Sequence, residues 1–307
     1  MKRILSLLAG LRTSAVAKNA LLMYGVQVSS IVLPLITLPY LSRVLSPAHI
    51  GLISFAQSFI WYFQTLTEYG FNLTATRQVA IHLNEPERVA EIFRATFGAK
   101  LLLTVAGFLL LTGAVVFTPR LRVDWPVFFI AFLGVVSNLL FPLWLYQGLQ
   151  KIQFVAVRDL SSKLLSVVAL LVFVRSDEDY LLAAAIPSLG LLAAGLVGLT
   201  QAVKLLEEPY RPPTVGDILG ALKAGWPVFL SMAALSLTTS TNMFILGWIA
   251  TKEEVAYFGQ AQRIIVALRG LVAPMSMAIY PHISHKASVS KKAADHMTLY
   301  QMVGCVP

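Results

Sequence analysis

Apolar residues fill the chain in blocks of about twenty, the length an α-helix needs to cross the hydrocarbon core of a bilayer. Eight such blocks lie near 19–41, 50–72, 95–117, 126–149, 154–174, 180–203, 224–249 and 254–281. Stretches such as Leu101–Phe117 and Leu181–Val203 lack the polar face that a helix packed on a water-soluble core would keep. The pattern predicts an all-α integral membrane protein with about eight transmembrane helices. Pro34, Pro142, Pro187, Pro227 and Pro274 fall inside blocks. Neighbouring helices can satisfy the carbonyls that proline frees, so bends are expected there.

Composition removes rival readings. Hydrophobic residues make up 57% of the 307 positions and charged ones 13%, against about 25% charged in soluble domains. The single Cys305 excludes an intramolecular disulfide framework and a cysteine metal site. A net charge of +9 invites nucleic acid, but the placement of the cations explains it differently. With a cytoplasmic N-terminus, seventeen of the 24 Lys and Arg fall on the cytoplasmic side, Arg77, Arg88, Arg94, Lys100, Lys151, Arg158, Lys163 and Lys204 among them. Five face outward (Arg43, Arg120, Arg122, Arg175, Lys252), and Arg263 and Arg269 lie inside a span. That asymmetry is the positive-inside pattern, so both termini are expected in the cytoplasm and no nucleic-acid partner is expected. Residues 1–18 mimic a signal peptide, but Arg12 cuts the apolar run short. They read as a cytoplasmic amphipathic helix.

The domain reading follows: a first six-helix lobe over 19–204, a cytoplasmic hinge loop over 205–223 containing Arg211-Pro212-Pro213, and an incomplete second lobe over 224–307. A further inward loop spans 73–94, where Asn84-Glu85-Pro86-Glu87 marks a helix start with an acidic first turn. Shifting the sequence by 205 residues lays Ile50-Gly51 on Val255-Ala256 and Phe55-Ala56-Gln57 on Gln260-Ala261-Gln262. Duplicated halves with a substrate path between them are common in transporters. A second copy has only about half the residues it needs, so a C-terminally truncated protein with two pseudo-symmetric lobes is expected.

Polar residues inside spans are costly unless they face other helices or a watery cavity. The second span carries Ser54, Gln57, Trp61, Gln64 and Glu68 on one face, and the first carries Tyr24, Gln27, Ser30 and Thr37. The seventh has Ser231, Thr238 and Asn242; the eighth has Gln262, Arg269 and Ser276. For any single helix, interhelical hydrogen bonding is the better explanation. Four striped helices together predict a hydrated lumen. Arg269 and Arg263 are the candidates for attracting a phosphate or acidic sugar into it, with Gln57, Gln64, Gln27, Tyr24, Asn242 and Gln262 as further lining. Glu68 could couple to protons, pair with Arg77 or touch cytoplasmic water. Gly190, Ala194 and Gly198 form a small-residue ridge that suits helix packing.

No nucleotide-binding loop or hydrolytic motif is present, so no enzyme is expected. Asp177-Glu178-Asp179 has the Asp-x-Asp form used by glycosyltransferases, but an acidic turn is the better reading. His282 and His285 do not make a metal site credible.

Pro39-Tyr-Leu-Ser-Arg-Val-Leu, Phe55-Ala56-Gln57-Ser58 and Tyr69-Gly-Phe-Asn-Leu-Thr-Ala-Thr-Arg77 resemble the bacterial polysaccharide flippases of the O-antigen type. Leu143-Trp-Leu-Tyr-Gln-Gly-Leu-Gln150, Phe229-Leu-Ser231, Asn242 to Gly247 and Ile279-Tyr-Pro-His-Ile-Ser284 look like later landmarks of the same family. The resemblance implies passage of undecaprenyl-diphosphate-linked oligosaccharide across the plasma membrane by alternating access through a cationic cavity. It also implies coupling to a proton or sodium gradient without a bound cofactor, and a polysaccharide polymerase and chain-length regulator as candidate partners. Ser46 and Ala48 depart from a glycine and an acidic residue usual after the Pro-Tyr-Leu motif. Family members have about twelve spans. Two alternatives stay open: a drug or cation exporter, which predicts an acidic lumen at odds with Arg263 and Arg269, and a non-transporting flippase fragment.

Overall fold

The computed structural model describes residues 15–206 and 211–266; the side chains of 15–24 and 238–240 lie outside that description. The described residues are helical almost throughout and contain no strand. The long helices are α1 (Ala15–Val44), α2 (Pro47–Glu68), α4 (Pro86–Phe117), α6 (Trp125–Leu140), α8 (Ile152–Phe173), α9 (Tyr180–Leu206), α10 (Val215–Ile249) and α11 (252–266). Short helices α3 (Phe71–Ile81), α5 (Pro119–Val123) and α7 (Leu143–Gly148) lie at their ends. A helix therefore occupies each of the eight apolar blocks, the last followed as far as Val266. Residues 1–14 and Arg269, with the remainder of the final block, fall outside the described residues.

Five segments are long and apolar enough to cross a membrane: Gly25–Val44, Pro86–Phe117, Trp125–Gly148, Asp177–Leu206 and Val215–Leu237. The helix α2 is diluted by its polar stripe, and α8 carries Arg158, Asp159 and Lys163. These two helices pack among the others, with α2 against α6 and α10 and α8 against α1 and α9.

Several boundaries depart from the sequence reading for local reasons. The second block stops at Glu68, because Tyr69 (φ 48°) and Gly70 (φ 76°) both turn left-handed before α3 begins. Only glycine fits at position 70: a Cβ would sit 2.5 Å from a Val228 methyl, besides the strain of positive φ. Residues 73–94, expected as a loop, are mostly helix, and α4 starts at Pro86 with Glu87 in its first turn. The seventh span begins nine residues early, inside the stretch 205–223 read as a hinge loop, because Thr214 and Asp217 form a capping box. The prolines behave unequally. Pro142 interrupts its block, since the preceding Phe141 is driven out of the helical region (φ −102°, ψ 100°). Pro34, Pro187 and Pro227 lie within continuous helices.

Three hydrophobic clusters fill the described part of the bundle. One, at the end that carries α3 and α7, is built on Phe71, Phe93, Trp144 and Tyr146; another, towards the α5 end, is built on Phe55, Phe128, Phe132 and Met243; a smaller third contains Leu45, Ile50, Leu170 and Ala256. Phe55 meets Phe128 and Trp248 edge-on, joining α2, α6 and α10. The segments that match at a shift of 205 residues also meet in space. Gly51 lies so close to α11 that a Cβ would fall 1.7 Å from the Lys252 carbonyl oxygen and 3.2 Å from the Ala256 nitrogen.

Gly51→Ala is therefore expected to lower the thermal unfolding temperature in detergent by several degrees. Gly113→Ala, on α4 with nothing within 4 Å of the added carbon, is expected to leave it unchanged or raise it.

Candidate functional site

A cavity of about 520 Å³ opens where α1, α2 and α11 face one another. Ser30 and Thr37 line it from α1, Ser54, Gln57, Ser58 and Trp61 from α2, and Gln262 and Arg263 from α11. Helical periodicity explains the placement: residues 54, 57, 58 and 61 share a face, as do 30, 34 and 37. The serine and threonine hydroxyls of α1 bond to carbonyls one turn back, Ser30 to Val26 at 2.8 Å and Thr37 to Leu33 at 3.1 Å, which lets polar groups sit on a membrane helix.

Arg263 carries the charge of this cavity. Its Nη2 donates to Gln57 Oε1 at 2.8 Å. The amide is neutral, so the hydrogen bond aims the guanidinium without neutralising it, and the positive charge stays available to an anion. Ser54 Oγ, buried in the wall, has no hydrogen-bond partner among the described residues.

The structure brings together Gln57, Gln262 and Arg263 among the residues singled out from sequence. Gln27 and Asn242 are exposed and lie outside the cavity lining. Tyr24 belongs to α1, with its side chain outside the described residues. Gln64 points at Gly134 of α6, with its Nε2 3.4 Å from where a Cβ would stand. The α2 stripe thus divides, its first half facing the cavity and its second half the interior of the first six helices. A seven-residue repeat drifts about 20° per heptad around a straight helix, so the two ends of a stripe reach different neighbours.

Glu68, at the far end of that stripe, lies 3.6 Å from Lys100 Nζ, which also donates to the Asn138 carbonyl at 3.1 Å. Lys100 is only 2% exposed, and Glu68 Oε2 is buried without a hydrogen-bond partner among the described residues. The pairing with Arg77 entertained from sequence is not among the ion pairs of the described residues. Three cations counted on the cytoplasmic side, Lys100, Arg158 and Lys163, project from within helices α4 and α8. Lys163 Nζ reaches Ser30 Oγ of the cavity wall at 2.6 Å. The available signal was its position, nine residues past the start of an apolar block.

The acidic turn Asp177–Asp179 is committed to local structure. Asp177 accepts from the Ser46 amide and contacts His49 Nδ1, both at 2.7 Å, while Asp179 caps the amides of Arg175 and Ser176. At the same end of the bundle, Lys252 pairs with Asp124 at 2.7 Å, and Arg120 donates to the carbonyls of Trp248 and Ala250. These contacts tie the α4–α6 connection to the α10–α11 connection.

Comparison with known proteins adds an independent line. A family model described as polysaccharide biosynthesis protein matches residues 16–286. A putative O-antigen transporter of Escherichia coli strain K12 is 33% identical over 267 residues, 87% of this chain and 64% of the relative. A putative O-antigen transporter of Shigella dysenteriae is 29% identical over the same length, 67% of that protein. The chain thus spans about two thirds of the length of these relatives. No solved structure matches it.

The Glu68–Lys100 pair yields a test of its own. Lys100→Met strands a buried carboxylate and is expected to destabilise the bundle by about 3 kcal/mol. Adding Glu68→Gln should recover most of that loss, as read from a double-mutant cycle of thermal unfolding in detergent.

Proposed function

The chain belongs to the polysaccharide biosynthesis protein family, and from that premise we propose that it moves undecaprenyl-diphosphate-linked oligosaccharide across the bacterial plasma membrane. The observation that carries this reading is Arg263, held over the cavity by the neutral oxygen of Gln57. A guanidinium in that state has the charge and the fork of donors that a diphosphate requires, and its cost in a membrane is justified by such a role. A cation-exporting cavity would need carboxylates instead. Among the described residues the lining contains none.

In this reading the end bearing α3 and α7 faces the cytoplasm, in keeping with the positive-inside distribution of Arg77, Arg88, Lys151 and Lys204. The Lys252–Asp124 pair and the Arg120 contacts hold the outward end shut, and transport alternates as α10 and α11 rock against the first six helices. The contact of Gly51 with Ala256, partners at the 205-residue shift, suits two lobes related about a shared axis. Glu68 is the candidate for ion coupling: protonating it or giving it a sodium ion would release Lys100 and alter the packing of α2 against α4. Arg269 remains a second candidate for the diphosphate.

In a strain lacking this gene, undecaprenyl-linked repeat units should accumulate in the inner leaflet, and the wild-type chain should clear them. Arg263→Ala should slow clearance at least about tenfold, the worth of one charge-assisted hydrogen bond, with Arg263→Lys intermediate. Clearance by Arg263→Ala at the wild-type rate, with normal membrane insertion, would overturn the role of this residue.

Alternating access has its own readout, in a Cys305→Ser background carrying Ser58→Cys as a reporter in the cavity. Asp124→Asn should raise labelling of that cysteine from the periplasmic side about two- to fivefold, the range expected for loss of a partly exposed ion pair. Unchanged labelling would mean that the pair is not a gate.

A further inference from the structure

A second charged site lies away from the cavity, on the flank of the bundle formed by α8 and α9. Arg158 is six residues into α8, about 9 Å along the axis from the helix start, and its side chain is 12% exposed. Its polar contacts are long for a charged group: Nη1 lies 3.3 Å from Asp159 Oδ1 and Nη2 lies 3.3 Å from Ser137 Oγ. The guanidinium carbon stands 4.3 Å over the Phe141 ring, while Nε is buried with no hydrogen-bond partner among the described residues. This cation is sheltered but poorly satisfied.

Arg158 borders a groove of about 690 Å³ between α8 and α9. The two helices touch at Gly190, where a Cβ would meet Ser166 Oγ at 2.8 Å, and the groove lies between that contact and the start of α8 at Ile152. Val157, Leu165, Ala194 and Val197 supply apolar walls, and Val157, Leu165 and Val197 are exposed, which in a bilayer means exposed to lipid. Gln153 and Gln201 stand near the open end. Arg158 is the charged side chain of the lining among the described residues; its neighbour Asp159 is not part of that lining.

We propose that this groove is a lateral binding site for an anionic glycerophospholipid, with the phosphodiester on Arg158 and one acyl chain along the α8–α9 walls. The chemistry is complementary throughout. A phosphate supplies the acceptors that the long Asp159 and Ser137 contacts of the two terminal nitrogens leave wanting, and the groove walls take the chain. Asp159 beside the guanidinium offsets part of its charge, which suits a monoanionic phosphodiester over a diphosphate. The depth of Arg158, about two helical turns from the end of α8, is within reach of a lipid phosphate drawn inward from the headgroup layer. This inference does not depend on what the central cavity carries.

The test uses the full chain in nanodiscs made from equal amounts of phosphatidylglycerol and phosphatidylethanolamine, with co-purified lipid read by native mass spectrometry after stepwise delipidation. The wild-type chain should retain phosphatidylglycerol selectively. Arg158→Gln should reduce that retention about tenfold, and Arg158→Lys should keep most of it. Ala194→Trp, which fills the groove without touching the charge, should abolish retention even if Arg158→Gln fails to fold. Retention of the two lipids in equal amounts by the wild type, or undiminished phosphatidylglycerol in the Ala194→Trp protein, would overturn the proposal. Retained undecaprenyl diphosphate in place of phosphatidylglycerol would overturn the assignment of the occupant.

Discussion

Within a bilayer core no water is available to complete a hydrogen bond, so each polar group on a spanning helix must be answered by the protein or by what the protein binds. That constraint organises this bundle. Hydroxyls on α1 fold back onto their own helix, Lys100 is buried between a carboxylate and a carbonyl, and Lys163 crosses from α8 to a serine of α1. Arg263 has a neutral amide for its partner and Arg158 keeps an unpartnered Nε among the described residues, and each borders an open volume.

The helix α2 is where these requirements converge. It begins with a Ser46 cap, passes Gly51 against α11, sets Phe55 among rings from α6 and α10, then presents Gln57 to Arg263 and Glu68 to Lys100. One 22-residue helix thus carries both the cavity wall and a buried ion pair, on opposite halves of a single polar stripe. Displacing α2 relative to α11 changes the cavity wall, and displacing it relative to α4 changes the ion pair.

The two ends of the bundle are closed by different chemistry. At the α5 end, one ion pair and the arginine–carbonyl contacts of Arg120 bridge the first helices to the α10–α11 connection. At the α3 end the bridge is aromatic, with Tyr69 stacked on Phe229 at 4.7 Å. Charged contacts near a water-exposed rim are weak and exchange readily with solvent, whereas an aromatic stack separates only by exposing apolar surface. The two ends of the bundle therefore differ in how readily their contacts exchange with solvent.

Much of the protein was determined by the sequence alone. Apolar block length placed the helices, because hydrocarbon thickness sets the number of residues required, and the start of α4 at Pro86 was legible from its turn chemistry. Arg263, Gln57 and Gln262 could be singled out because intramembrane polarity is costly and helical phase is arithmetic. What the tertiary structure decided was partnership. Lys100, Arg158 and Lys163 were counted on the cytoplasmic side because charge near a span end usually reaches water; the packing of α4 and α8 against their neighbours is what gives them protein partners and buries Lys100. Gln64 and Gln57 share a stripe, yet one meets α6 and the other the cavity. Periodicity fixes which side of a helix a residue is on, but the helix standing on that side is set by packing between segments far apart in the chain.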